Sequence, residues 1–170
     1  LWARPGIDLD PILQGGTGTA SDSLAMPETF TDPLEPGMPD LPALAGLAAA
    51  LDWLDRESID AVGRGARGLA ATAADGLRAI RGVRVLAAES VGVGAPIVSF
   101  TVEGYDPAEV ATGLEQTAGV QVRSGFHCAA CIHEHLGTRE GGTVRASFGP
   151  FNTRSDVEML VRMVERLATG

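Results

Sequence analysis

Arg123-Ser124-Gly125-Phe126-His127-Cys128-Ala129, followed by Gly142-Thr143-Val144-Arg145, is the stretch around which the chain's chemistry gathers. It leaves a short predicted strand at Val120-Gln121-Val122 and enters a loop that Gly125 allows to turn. Thr143 to Ser147 reads as a second strand, and it carries Arg145. Both cysteines and all three histidines fall within nine residues: His127, Cys128, Cys131, His133 and His135.

Three chemistries suit such a cluster. Cys128 and Cys131, spaced C-x-x-C, with His133 and His135 offer thiolate and imidazole ligands of the kind zinc prefers. Structural zinc sites usually draw on two separated knuckles, and this chain offers one. A dithiol redox pair is the second reading, without the tryptophan-bearing loop and strand order of thioredoxin-like proteins. A single nucleophilic cysteine is the third. Cationic neighbours favour thiolate over thiol. An arginine on a nearby strand grips a carboxylate through two parallel hydrogen bonds. Cys128 with Arg145 therefore suits an amino-acid substrate. Against this, a lone cysteine is usually a small buried apolar residue, and a strand arginine is usually a surface ion pair. Periodicity alone gives Cys131, His133 and His135 no more than that.

Outward from this stretch, residues 81–170 read as a small α+β domain. Strands are expected at 83–86, 97–102, 120–122 and 143–147, and helices at 107–116 and 155–168. Asp106-Pro107-Ala108-Glu109 has a capping residue, a first-turn proline and a glutamate three residues after the cap. Thr153-Arg154-Ser155-Asp156 opens the last helix, whose Val157, Leu160, Val161, Val164 and Leu167 form an apolar stripe. Residues 43–80 read as one or two linking helices. Leu44, Leu47, Leu51 and Leu54 lie on one stripe, and a break is expected among Gly63, Gly65 and Gly68. Seven of the ten prolines lie in residues 1–42, so this segment reads as loop, with a turn at Gly15-Gly16-Thr17-Gly18-Thr19. An arm of this kind is expected to pack poorly and to leave an apolar patch.

Composition removes several function classes. Thirteen basic residues against 22 acidic ones give a net charge of −9. Such a chain does not grip nucleic acid or an anionic membrane by charge. The longest near-apolar run, Leu41 to Leu51, is too short to span a bilayer, and no signal peptide is visible at the start. A cytoplasmic protein is expected. Every basic residue is arginine, so the chain supplies no amine for a Schiff base.

The ordered motifs resemble the cysteine desulfurases, class V aminotransferases of fold-type I that depend on pyridoxal phosphate (PLP). Arg123 to Ala129 is similar to their R-x-G-x-H-C-A loop. The likeness runs on through His133, Leu136-Gly137-Thr138, Gly142 to Arg145, Ser147, Gly149 and Phe151-Asn152-Thr153. Upstream, Gly15-Gly16-Thr17-Gly18 and Leu34-Glu35-Pro36-Gly37-Met38-Pro39-Asp40 resemble the family's G-G-T-G and L-E-x-G-T-P-N segments, and Ala45-Gly46-Leu47 the start of the following helix. Met38 and Asp40 replace the family's threonine and asparagine, and Ala130 its proline.

The resemblance implies the C-terminal part of such an enzyme, inactive alone. Residues 1–42 would be the tail of the large PLP domain, 43–80 the link and 81–170 the small domain. The PLP-binding lysine would precede residue 1. It also implies roles. Cys128 would take sulfur from L-cysteine as a persulfide and release L-alanine. Arg145 would hold the substrate carboxylate, Arg123 would line the same pocket, and His127 would assist. Gly15, Gly16 and Thr17 would approach the PLP of a second copy. A homodimer, or association with a lysine-bearing portion, and a sulfur-acceptor protein in iron–sulfur cluster assembly follow from the same likeness. A carbon–sulfur lyase or aminotransferase homologue is the neighbouring reading. A small zinc- or thiol-binding module is the reading from another class.

Overall fold

The computed structural model describes residues 4–7, 9–20, 22–28, 34–87 and 90–170. The chain divides into two compact units, residues 1–53 and 54–170. Helix α1 (Leu41–Glu57) buries none of its residues. Leu44, Leu47 and Leu51 are each about half exposed, so the leucine stripe forms a helix face that none of the described residues buries. Among the described residues no helix is long and apolar enough to cross a membrane.

In the second unit, helix α2 (Ile59–Arg78) is followed by strands β1 (Val83–Leu86) and β2 (Ile97–Val102) and helix α3 (Pro107–Ala118). Strand β3 (Arg123–Gly125), helix α4 (Ala130–His135), strand β4 (Thr143–Ser147) and helix α5 (Arg154–Thr169) complete it. The four strands form one antiparallel sheet in the order β1-β2-β4-β3. Helices α2 and α3 pack on the sheet, and α5 packs on both helices. The core between them holds Val98, Phe100, Val102 and Val144 from the strands. Leu77, Val110, Leu114, Leu160 and Val164 come from the helices. Gly76 permits the close approach of α5, since a Cβ there would lie 2.8 Å from Val161.

Both predicted helix starts form full capping boxes. Asp106 accepts from the Ala108 amide while Glu109 accepts from the Asp106 amide. Thr153 and Asp156 exchange the equivalent bonds, and the Thr153 amide holds the Asp156 carboxyl below its ordinary pKa.

Three expectations are corrected. The helical break falls at Ser58, at a positive φ of 66°, and the glycines at 63–68 stay inside α2. Three interior glycines cost about 3 kcal/mol relative to alanine. Burial of Ala66, Ala70, Ala73, Ala74 and Leu77 on one face returns on the order of 5 kcal/mol. The third strand lies at 123–125, not 120–122. Gly119 caps α3 in the left-handed conformation and the Val120 amide donates back to Leu114 O, so the ladder starts later. Val120 and Val122 instead pack against the core. Finally, the expected loop after Cys128 contains the short helix α4.

Gly142 (φ 83°) decides how closely β4 approaches β3, because a Cβ there would fall on the Gly125 carbonyl. Gly104 has a similar φ of 81° in open space. Gly142→Ala should therefore lower the unfolding free energy by about 3 kcal/mol, and Gly104→Ala by only about 1 kcal/mol from backbone strain. Urea denaturation midpoints of the two variants check this; equal losses would remove the close-approach explanation.

Candidate active site

Register builds the site. Leu86 pairs with Ser99, Ser99 with Arg145, and Arg145 with Arg123, so these four form a row across all four strands. Directly opposed residues share one face of a sheet. That face is opposite the one carrying Val98 and Phe100, because side chains alternate along a strand. Two like charges are thus placed side by side, which is unfavourable without an anion between them. Among the described residues neither arginine forms an ion pair. The Arg145 Nε is buried and has no hydrogen-bond partner among the described residues.

Beyond β3 the chain makes a strained turn. Gly125 has φ 96°, and His127 and Cys128 follow at 52° and 59°. Two consecutive non-glycine residues in the left-handed region cost about 1–2 kcal/mol each. Such strain persists only where the surroundings over-determine it, and it concentrates at functional sites. The Ala129 amide closes the turn on Phe126 O at 2.9 Å. Cys128 is exposed at the tip, and an Arg123 Nη donates toward its Sγ at 3.7 Å.

The three histidines serve different ends. His127 Nε2 lies 3.1 Å from both the Thr143 carbonyl oxygen and its Oγ1. A carbonyl only accepts, so Nε2 carries the proton and Nδ1 is left as a lone pair. That Nδ1 is buried and has no partner among the described residues. Burial first, and the Arg145 guanidinium second, hold the His127 pKa below its ordinary value, which favours the neutral ring. His133 is 2% exposed. Its Nε2 faces Phe126 O at 3.1 Å and its Nδ1 faces Thr138 Oγ1 at 2.9 Å. His135 and Cys131 point to solvent on α4.

With both His133 nitrogens engaged, the four-ligand zinc arrangement loses one of its members. Among the described residues no group of three or more His, Cys, Asp or Glu is placed to hold a metal ion.

A cavity of about 300 Å³ opens on this face, lined by Leu86, Ile97, Ser99, His127, Thr143 and Arg145 among others. Cys128 does not line it, although its neighbours His127 and Ala129 do. The structure thus brings Arg123, His127, Cys128 and Arg145 together. Ser99, Thr143 and Thr138 carry no role in the sequence analysis, and His133 only that of a metal ligand. Alternation along 97–102 places Ser99 opposite Val98 and Phe100, and Thr143 shares a face with Arg145, so both positions had a signal. Gly15, Gly16 and Thr17 belong to the first unit. There the Gly37 amide donates to Gly16 O at 2.7 Å and the Thr17 and Thr19 hydroxyls meet at 2.8 Å.

The family model described as aminotransferase class-V matches residues 3–160. The chain belongs to this family. Among relatives of this class-V chain is the probable cysteine desulfurase of Methanothermobacter thermautotrophicus, 45% identical over 73 residues. That match covers 42% of this chain and 18% of the relative. Two solved structures are similar in fold and sequence. The cysteine desulfurase of Thermococcus onnurineus matches with a TM-score of 0.80 at 31% identity, over 94% of this chain and 40% of that one. The cysteine desulfurase CsdA of Escherichia coli matches with a TM-score of 0.74 at 32% identity, over 92% and 38%. The class-V chain therefore spans about two fifths of the solved chains it matches.

His127 provides a pH test of this geometry. Its pKa should lie below the ordinary histidine value, so the unfolded chain takes up a proton first as pH falls. His127 thus makes the fold less stable as pH drops below about 6.5. In Arg145→Gln the pKa should rise yet stay below the ordinary value, because burial, the larger cause, remains. Imidazole NMR titration reads both. A His127 pKa at or above the ordinary value in the parent chain would refute the arrangement.

Proposed function

We propose that this class-V chain carries the substrate-carboxylate and sulfur-accepting side of a cysteine desulfurase. The observation that supports it best is a pair of unmet buried atoms on one cavity, the Arg145 Nε–H donor and the His127 Nδ1 acceptor. Beside them lies a cysteine held against a second arginine. Donor and acceptor together suit a small zwitterion, and an exposed thiol suits a group that must accept sulfur and hand it on.

In this reading Arg145 binds the α-carboxylate of L-cysteine through charge-assisted hydrogen bonds. Arg123 keeps the Cys128 sulfur oriented and offsets negative charge upon it. Neutral His127, its ring fixed by Thr143, presents Nδ1 to take up a proton within the cavity. The net change is L-cysteine plus the Cys128 thiol giving L-alanine plus the Cys128 persulfide. An S–S bond forms at Cys128 as the substrate C–S bond breaks, and the electron pair of that bond stays with carbon.

Stabilising that electron pair is the chemistry PLP supplies in the family. None of the 170 residues is lysine, so this chain does not offer the covalent anchor for that group. A lysine-bearing portion has to contribute it. Residues 1–42, 43–80 and 81–170 are read accordingly as large-domain tail, link and small domain. Gly15, Gly16 and Thr17 are read as an approach to the cofactor phosphate of a second copy. A sulfur-acceptor protein would then receive the persulfide.

The test uses the enzyme completed by a lysine-bearing portion and supplied with L-cysteine. Alanine should form, and the peptide containing Cys128 should gain the mass of one sulfur atom. Cys128→Ser should abolish the persulfide. Arg145→Lys should raise KM for cysteine about tenfold to a hundredfold, the loss expected for charged hydrogen bonds. Pyruvate and free sulfide in place of alanine and persulfide would assign a carbon–sulfur lyase instead.

A further inference from the structure

His133 lies outside the reaction just described, yet it is the most deeply buried titratable side chain beside the cysteine turn. We propose that His133 is a positioning residue that holds the strained turn, and through it keeps Cys128 against Arg123. The proposal rests on Cys128 being the reacting sulfur.

A closed circuit of hydrogen bonds carries it. His133 Nε2 donates to Phe126 O, the residue immediately before the two left-handed positions. His133 Nδ1 accepts from Thr138 Oγ1, and the Thr138 amide donates back to His133 O at 2.8 Å. The Gly142 amide then donates to Thr138 O at 3.0 Å, which ties the far end of α4 to the start of β4. There Thr143 bonds His127, and His127 adjoins Phe126 in the chain. The rings of His133 and Phe126 also meet in a T-shaped pair, with centroids 5.2 Å apart. Phe126 O is thereby held from two sides, by the Ala129 amide and by His133.

The hydrogen-bonding pattern requires one tautomer. A carbonyl at Nε2 requires a proton there, and in the neutral ring Nδ1 then accepts from the Thr138 hydroxyl. His133 contacts Phe126 O, Thr138 Oγ1, the Phe126 ring and, at 6.0 Å, the His127 ring, and it also lines the cavity. No carboxylate of the described residues is hydrogen-bonded to it. Both ring nitrogens are engaged within the protein, which suits a role in holding shape.

The test measures Cys128 alone, in the 170-residue chain with Cys131→Ser, by the rate of iodoacetamide alkylation at neutral pH. It needs neither cofactor nor cysteine, so its failure is separable from failure of the desulfurase reading. His133→Phe keeps the ring and removes both bonds, and should slow alkylation about tenfold, the effect of one lost hydrogen bond. His133→Gln retains a donor for Phe126 O and should recover most of the rate. In an Arg123→Gln background His133→Phe should have no further effect, because both changes act on the same contact. Thr138→Val should slow the reaction and Thr138→Ser should not; this pair decides the matter if His133→Phe does not fold. An unchanged or faster rate in the folded His133→Phe or Thr138→Val chain overturns the proposal. So does equal slowing in His133→Gln and His133→Phe.

Discussion

The arrangement on which the site depends is two guanidinium groups placed side by side on one face of a sheet. Arg123 and Arg145 are cross-strand partners, and nothing in the described structure neutralises them. Repulsion between partly exposed charges is worth less than about 1 kcal/mol in water. A core that buries Phe100, Val98, Leu77 and Leu114 completely offsets far more than that. The apolar face of the same strands therefore sustains a cationic face that would not persist in an isolated hairpin. Register transmits the effect: a shift of one residue along β4 would send Arg145 into the core and Val144 into the cavity.

Much of this was legible in the sequence, for identifiable reasons. Both helix starts were readable because a capping box is a local device, completed within four residues. Strands 83–86, 97–102 and 143–147 were readable because a run of β-branched and aromatic residues is local too. The failures are all non-local. Gly63, Gly65 and Gly68 look like a break until α2 is seen to bury its alanine face. Val120 and Val122 look like a strand until Gly119 is seen to commit the next amide to a helix cap. Whether the Leu44–Leu47–Leu51 stripe is covered depends on what packs there, which periodicity cannot report.

The candidate site divides the same way. Residue chemistry singled out Cys128 and Arg145, and family likeness singled out Arg123 and His127. Neither indicated that Arg123, rather than His127, makes the contact to the sulfur. That fact comes from the left-handed turn. The turn swings Cys128 away from the cavity lining while leaving His127 within it. Nor did spacing reveal that a C-x-x-C-x-H-x-H run would scatter its members between a loop tip, a helix surface and a buried brace.

Two of the three histidines show how little separates a structural imidazole from a chemically available one. His127 and His133 both face a backbone carbonyl with Nε2, and both therefore carry their proton on that nitrogen. A threonine hydroxyl accompanies each. For His133 the hydroxyl of Thr138 sits at Nδ1 and satisfies the lone pair. For His127 the hydroxyl of Thr143 sits beside the carbonyl, at Nε2, and the lone pair stays unmet. Burial of that lone pair against Arg145 costs stability that a satisfied ring would not, and it leaves an acceptor facing the cavity beside a cation. The placement of one hydroxyl, on one side of the ring or the other, separates a satisfied imidazole from one with an open acceptor.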